Sequence, residues 1–384
     1  MTGRSIGRVG WLAVACIAVL AGAACASYIQ EEFQGTPQQR TPIIHPRPAP
    51  LPSPSQHVPE LARYLDRLEL RRPLVCGRLA VFPVVRGGSV LGGNWLTMDT
   101  ALARGVLVVT EKESGSVPIV WVENRSRSDY VLLMAGEVVS GGKQTRTFRQ
   151  DAILAPGQRL EVGVFCVEAH RWSGGGGFQS SGVLMPQSIQ QQMRRGADQA
   201  QVWSEVARSN AALGAQSPTG SIEAGLNAPA VRRELDGVRR LIVPECPREA
   251  TGYIFVDRYG SRGIGAEFFG RPDLAAAMLP KLIDAYAVDL VVQTGSDRAT
   301  GIAMPDDAAR NFLDRIRRAG SYRDGTPGSG VGITMRAAGL VGSGVGFGND
   351  MVHFGCQVED RILPPPVPMP MPYLRNGPAP GGND

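Results

Sequence analysis

A run of glycines after Ser173, from Gly174 to Gly177, separates two hydrophobic periods. A chain whose period changes from two to about 3.6 along its length must mix sheet and helix. Before the run, six segments (74–85, 106–112, 119–124, 130–139, 146–154 and 159–168) are short and rich in Val, Leu and Phe. Turn sequences such as Asn124-Arg125-Ser126 and Ala155-Pro156-Gly157 part them, which predicts an antiparallel sheet or two packed sheets. After the run, Met185, Ile189 and Met193, then Val202 and Val206, then Val231, Leu235, Val238 and Ile242 fall at helical spacing.

Further on, 252–256 and 263–269 read as strands. Pro272 opens a helix carrying Leu274, Met278, Leu282 and Tyr286, with a kink expected at Pro280. The apolar run 288–292 is expected as a strand and 306–318 as a helix. Gly-Ser-Gly-Val-Gly occurs at 328–332 and again at 342–346, which suggests a glycine-rich β-hairpin. A phosphate cradle would need a following helix and a lysine there. The strand 351–358 closes a fold of class α+β: a strand-rich N-terminal half, then helices, then the hairpin.

The ends have a different character. Residues 1–26 read as an export signal: Arg4 and Arg8, an apolar run from Trp11 to Leu20, then small residues. Two cleavages fit. Ala24-Cys25-Ala26 has the form of an ordinary signal peptidase site, and Gly22-Ala23-Ala24-Cys25 has that of a lipobox that would leave Cys25 lipidated. Residues 27–65 are a Pro-rich spacer, 66–360 a single α+β domain, and 361–384 a disordered Pro-rich tail. The expected location is therefore outside the cytoplasm, in the periplasm or outer envelope, with the membrane reached only through the N-terminal lipid.

Charge and cysteine narrow the classes. The formal net charge is +5. Losing Arg4 and Arg8 with the signal takes it to +3. Arginines alternate with acids, as in Arg232-Arg233-Glu234, and form no basic stripe with aromatics, which argues against a nucleic-acid partner. Cys76, Cys166, Cys246 and Cys356 permit two disulfides in an exported chain, with the pairing open. Of four histidines, His45 and His57 fall in the spacer, leaving His170 and His353, too few for a histidine-rich metal site. No cofactor and no metal are expected.

The costly residues lie in 121–172. Strand alternation puts Leu160, Val162, Val164, Cys166 and Glu168 on one face, so Cys166 reads as core or half a disulfide. Glu168 is a carboxylate at the end of an apolar row, held by a cation such as Arg171 or placed at a cleft rim. Glu137 shares its face with Val131, Leu133, Ala135 and Val139, where an unpaired carboxylate would cost several kcal/mol or stay protonated. Lys143, Arg146 and Arg149 are its nearest cations in sequence. Residues 136–145 match a Walker A loop poorly, since Gln144 replaces the hydroxyl residue and a strand follows. Trp172 and Trp203 read as core anchors, His353 as a satisfied core histidine, and Ser217-Pro218-Thr219-Gly220-Ser221 as a turn or helix cap.

Six motifs occur in a fixed order: Val122-Glu123-Asn124-Arg125-Ser126; Gly136-Glu137 with Gly141, Gln144 and Arg146; Cys166-Val167-Glu168 with Arg171-Trp172; Val202-Trp203; Ser217-Pro218-Thr219-Gly220; and Pro280-Lys281-Leu282 with Tyr286-Ala287 and Asp289. Together they resemble the bacterial ADP-ribosylglycohydrolase- and rhodanese-phosphatase-associated domain family, over roughly residues 70–357. The resemblance implies an α+β domain, with a link to ADP-ribose or phosphoryl metabolism suggested by the neighbours that give the family its name. This chain departs from the pattern in carrying His170 and an export signal.

Two functions follow. One is a non-catalytic envelope module that binds a protein or a glycan, its charges forming a buried lock. The other is an envelope hydrolase with Glu137 and Glu168 as acid/base carboxylates, and Gln144, Arg146, Arg171 and Trp172 holding an anionic, ADP-ribose- or phosphate-like substrate. The first is favoured because no recognised nucleophile, triad or metal cluster is present.

Overall fold

The computed structural model describes residues 56–88, 91–112, 118–175, 177–259, 262–292, 307–337 and 339–359. The export signal, Cys25, most of the spacer and the tail lie outside the described residues.

A nine-stranded antiparallel sheet forms the frame. From one edge it runs Leu68–Leu70, Leu79–Arg86, Ala250–Asp257, Arg262–Phe269, Asp350–Val358, Leu340–Phe347, Val331–Ala337 and Tyr322–Asp324, with Leu74–Cys76 also paired to Leu79–Arg86. Alternation along the central strands feeds two cores. Ile254, Phe268 and Phe354 pack under helices Pro59–Leu65 and Ala308–Ala319. Phe255, Phe269 and Val352 pack under helices Pro229–Ile242 and Pro272–Ala287. Helix Pro59–Leu65 buries Leu61, Tyr64 and Leu65, so the folded part reaches back before residue 66. Pro83 would remove a ladder bond from a central strand. It sits between the short partners instead, since Leu70 pairs with Val84 and Leu74 with Val81, and its own carbonyl accepts from Arg71 N at 2.8 Å.

The first half of the domain builds a second body. A six-stranded sheet runs Phe178–Leu184, Glu137–Gly141, Arg146–Phe148, Arg159–Cys166, Ile119–Asn124 and Leu107–Glu111. Its two edge strands meet through a single antiparallel bridge, Thr110 to Gly177, so the sheet curls into an almost closed ring. A three-stranded sheet of Ala152–Leu154, Asp129–Leu133 and Asn94–Thr97 shares its core, which includes Val122, Leu133, Phe148, Leu154, Val162 and Phe178.

Three expectations change. The segment 130–139 is two strands, Asp129–Leu133 and Glu137–Gly141, because Gly136 at φ +88° turns the chain and Glu137 N donates to Met134 O. The segment 146–154 likewise divides into Arg146–Phe148 and Ala152–Leu154. The run Val288–Val292 is a π-helical turn that continues helix Pro272–Ala287. A short apolar run fits a strand and a buried helix equally, and here the preceding helix decides. Asp289 within it accepts from Ser188 N at 2.7 Å and thereby caps helix Gln187–Arg194. The glycine-rich hairpin forms as expected, with Val331 opposite Gly346 and Met335 opposite Gly342. Helices Gln199–Ala212, Pro229–Ile242 and Ala308–Ala319 follow the expected periodicity.

Candidate functional site

Strand Arg159–Cys166 pairs with Arg146–Phe148, Cys166 opposite Arg146, and the chain then turns at Glu168. This register brings five of the six expected site residues to one corner. Glu168 Oε2 accepts from Thr145 N at 3.0 Å, Thr145 Oγ1 at 3.0 Å and Arg171 Nη2 at 2.7 Å. Burial pushes its carboxyl up, but bonds from Arg171, Thr145 and Thr219 outweigh this and hold it at about 2. Arg171 also donates to the carbonyls of Gly142 and Ser173, at 3.0 and 2.7 Å. It is therefore a staple between the Gly141–Gly142 turn and Ser173, and its partnership with Glu168 is the one expected from sequence.

Gln144 joins the same corner from within. Its Nε2 donates to Glu168 O at 2.8 Å, and its Oε1 accepts from Arg146 Nη1 at 3.1 Å. Arg146 is fully buried, touches Cys166 Sγ, and lies 3.7 Å from Glu111 Oε1. Its Nε and Nη2 make no hydrogen bond. Trp172 is 49 % exposed and lies over both Lys143 and Arg146, with ring distances of 5.3 and 5.8 Å. It is a cover rather than a core anchor. Cys166 is core as expected, and burial pushes its thiol up to about 11, away from nucleophile behaviour. Cys76, Cys166, Cys246 and Cys356 all carry free thiols.

Glu137 is elsewhere. It opens the strand Glu137–Gly141, whereas Arg171 bonds Gly141 and Gly142 at the strand's far end and Glu168 bonds Thr145 just beyond. Four residues of strand, roughly 13 Å, lie between them. Glu137 is wholly buried; Oε1 accepts from Lys281 Nζ at 2.9 Å and Oε2 from Met134 N at 2.9 Å. Its cation is therefore Lys281 of helix Pro272–Ala287, rather than Lys143, Arg146 or Arg149. Lys281 Nζ reaches on to Asp99 Oδ2 at 2.6 Å, and Asp99 also accepts from Ser180 Oγ. Burial raises the Glu137 carboxyl against the pull of Lys281, while the two carboxylates overcome burial to raise Lys281.

The same motifs place the chain among known domains. Residues 67–356 match ARPP-1, the ARG and Rhodanese-Phosphatase-superfamily-associated Protein domain. This chain belongs to the ARPP-1 family. No curated protein and no solved structure matches it.

The ARPP-1 domain holds a third charged group, one that sequence reasoning missed. His353 Nδ1 lies 2.6 Å from Asp151 Oδ2, and its Nε2 lies 3.1 Å from Glu267 Oε2. Tyr286 Oη donates to Glu267 Oε1 at 3.1 Å, and Arg194 Nη2 lies 3.5 Å from the same oxygen. Burial lowers the His353 imidazole, but the flanking carboxylates outweigh it and raise it to about 9, so both ring nitrogens carry protons. The cluster ties the large sheet to the Ala135 turn, because Asp151 Oδ1 also accepts from Ala135 N at 2.8 Å. Only His353 stood out beforehand, as a histidine on an apolar strand; its partners come from distant segments. Ser221 caps helix Ile222–Leu226 as the turn sequence implied.

One open cleft of about 440 Å³ belongs to this half of the ARPP-1 domain. Asp99 lies on its wall with Leu102, Leu107, Val109, Phe178 and Ser180. Asp99 thus links the buried Glu137–Lys281 pair to solvent.

Proposed function

We propose that this chain is an exported, non-catalytic binding module of the cell envelope, periplasmic or outer, with lipid attachment if cleavage falls before Cys25. The basic start, apolar run and small residues of 1–26 support export. One observation supports the non-catalytic reading: both oxygens of Glu137 and Oε2 of Glu168 accept from the protein's own donors. Lys281 and Met134 N take those of Glu137, and Arg171 and Thr145 take Oε2 of Glu168. Carboxylates so held act as locks that fix a surface for a partner.

The test is thermal melting of Glu137→Gln and Glu168→Gln with and without ADP-ribose or inorganic phosphate. Removing one partner of a buried ion pair costs about 3–5 kcal/mol. Both variants are therefore expected to melt several degrees below the parent, and neither probe is expected to shift the parent. Parent-like melting of the variants, with a ligand-induced shift in the parent that they lose, would sink the reading. It would favour the alternative, an envelope hydrolase acting on an anionic substrate. The raised Glu137 carboxyl, one ammonium away from an open cleft, is what favours that alternative.

A further inference from the structure

Thr145 Oγ1 stands between two carboxylates. It lies 3.0 Å from Glu168 Oε2 and 3.2 Å from Glu223 Oε2. A threonine hydroxyl has one proton to give and lone pairs with which to accept, so it cannot donate to both oxygens at once. Glu168 has the stronger claim. Its Oε2 already accepts from Thr145 N, and Arg171 Nη2, at 2.7 Å, keeps it ionised. The hydroxyl proton therefore points at Glu168 and the lone pairs face Glu223. An acceptor facing an acceptor repels, so the approach of Glu223 is favourable only with a proton on its own carboxyl. Charge leads the same way. Glu168 is the anion that acts on Glu223 and Arg171 the cation, and the two cancel. An ionised Glu223 would leave one uncompensated negative charge, half-buried, in this corner. Burial raises the Glu223 carboxyl above its ordinary value, helped by Glu168 and opposed by Thr145 and Arg171. The other charges around it are engaged elsewhere: Arg146 on Gln144 and Glu111, Arg208 on Glu205, and Arg232 on Asp236 and Asp284. His170 lies on the same turn, its ring against Gly220.

Glu223 is the second residue of helix Ile222–Leu226. Two backbone bonds tie that helix and the loop before it to the turn after Cys166. His170 N donates to Thr219 O at 2.9 Å, and Ile222 N to Val167 O at 3.0 Å. The Thr219 side chain also bonds Glu168. We propose that Glu223 and Thr145 form an acid-closed clasp: protonated Glu223 donates to Thr145 Oγ1, which donates on to Glu168, and loss of that proton to solvent loosens the segment 217–226 from the turn 167–171. A carboxyl whose value is raised by folding favours the folded form fully below its ordinary value, and ceases to do so as pH rises through the raised one. The clasp therefore loosens toward alkaline pH, the opposite direction to the Glu168 lock. Pro218 on the segment and His170 and Trp172 on the turn are exposed, so what loosens is a strip of surface. The clasp goes beyond the binding-module reading and does not rest on it.

Two measurements on the whole protein test it. The first follows the side-chain carboxyl carbons by NMR across pH. Glu223 is expected to titrate above 4.5, and Thr145→Val is expected to lower its midpoint while raising that of Glu168. If the hydroxyl instead donates to an ionised Glu223, Thr145→Val will raise the Glu223 midpoint, and the clasp fails. The second is amide hydrogen exchange, corrected for the intrinsic effect of pH. Protection of the His170 and Ile222 amides is expected to fall about tenfold as Glu223 loses its proton, while that of Val120 and Val122 holds. Glu223→Gln keeps an N–H donor toward Thr145 and carries no charge, so its His170 and Ile222 amides are expected to stay protected throughout. This variant keeps the test open if Thr145→Val fails to fold.

No fall in the parent, or an equal fall in Glu223→Gln, would overturn the proposal. So would a fall that disappears in His170→Gln, which would hand the switch to the imidazole. The melting of Glu137→Gln reports on the lock separately, so either reading can fail while the other stands.

Discussion

At the scale of single residues, two buried groups set the pH range of the fold. Glu168 is held at about 2 against an ordinary value of 4.5, so its contribution is complete above pH 4.5 and is lost as pH falls toward 2. His353 is raised from 6.5 to about 9, so its contribution is complete below pH 6.5 and is lost as pH rises through 9. In denaturant melts across pH, Glu168 should therefore favour the fold fully above pH 4.5 and His353 below pH 6.5, while Asp284, raised by burial to about 6, opposes Glu168 as pH rises from 3.8. Glu168→Gln should flatten the acid side of this dependence, and His353→Gln the alkaline side, at the cost of lower stability. An unchanged alkaline decline in His353→Gln would mean that the charge sits elsewhere. Sequence revealed one of these partnerships. Arg171 lies three residues from Glu168, within reach of any turn. Lys281 lies 144 residues from Glu137, and only the docking of a helix on the ring brings it there.

At the scale of elements, hydrophobic period located most strands and helices, and failed where a short run meets a turn. Val288–Val292 has strand composition, but the helix before it carries on through. The split of 130–139 was signalled by Gly136, which the apolar run on both sides concealed. Glycines on neighbouring strands do a second job that composition could not reveal. Gly355 stands opposite Glu267 in the ladder between Arg262–Phe269 and Asp350–Val358. A Cβ at Gly355 would run into Glu267 Oε2 and Arg194 Nη2, so its bare backbone makes the room that the charged cluster fills. Gly355→Ala should cost about 1–3 kcal/mol by overpacking, measured in denaturant. Gly348→Ala, at the open turn before the strand, has no neighbour to meet and should cost only backbone strain at φ +60°. Equal losses at the two positions would contradict the packing argument.

For the whole molecule, the α+β class and the extent of the family domain could be read from sequence, and sheet order could not. Order depends on pairings between segments far apart, such as Leu79–Arg86 with Ala250–Asp257. The largest surprise is the place of the closing strand. Asp350–Val358 lies inside the nine-stranded sheet, between Arg262–Phe269 and Leu340–Phe347, and carries His353 into the charged cluster. A chain cut before Asp350 would leave two bare sheet edges and would take the His353 imidazole from Asp151 and Glu267, leaving Glu267 to Arg194 and Tyr286 alone. It should show no cooperative calorimetric transition, whereas a chain cut after Glu359 should melt like the parent. A cooperative transition in the shorter chain would show that the sheet forms without its closing strand.

That placement also bears on the order of events during synthesis. The strands on either side of Asp350–Val358 leave the ribosome earlier, yet cannot be joined until it appears. A growing chain of this design has no complete large sheet to fall into until Asp350–Val358 has been made, whereas the strands of the smaller sheets, from Asn94 to Leu184, are all available far earlier.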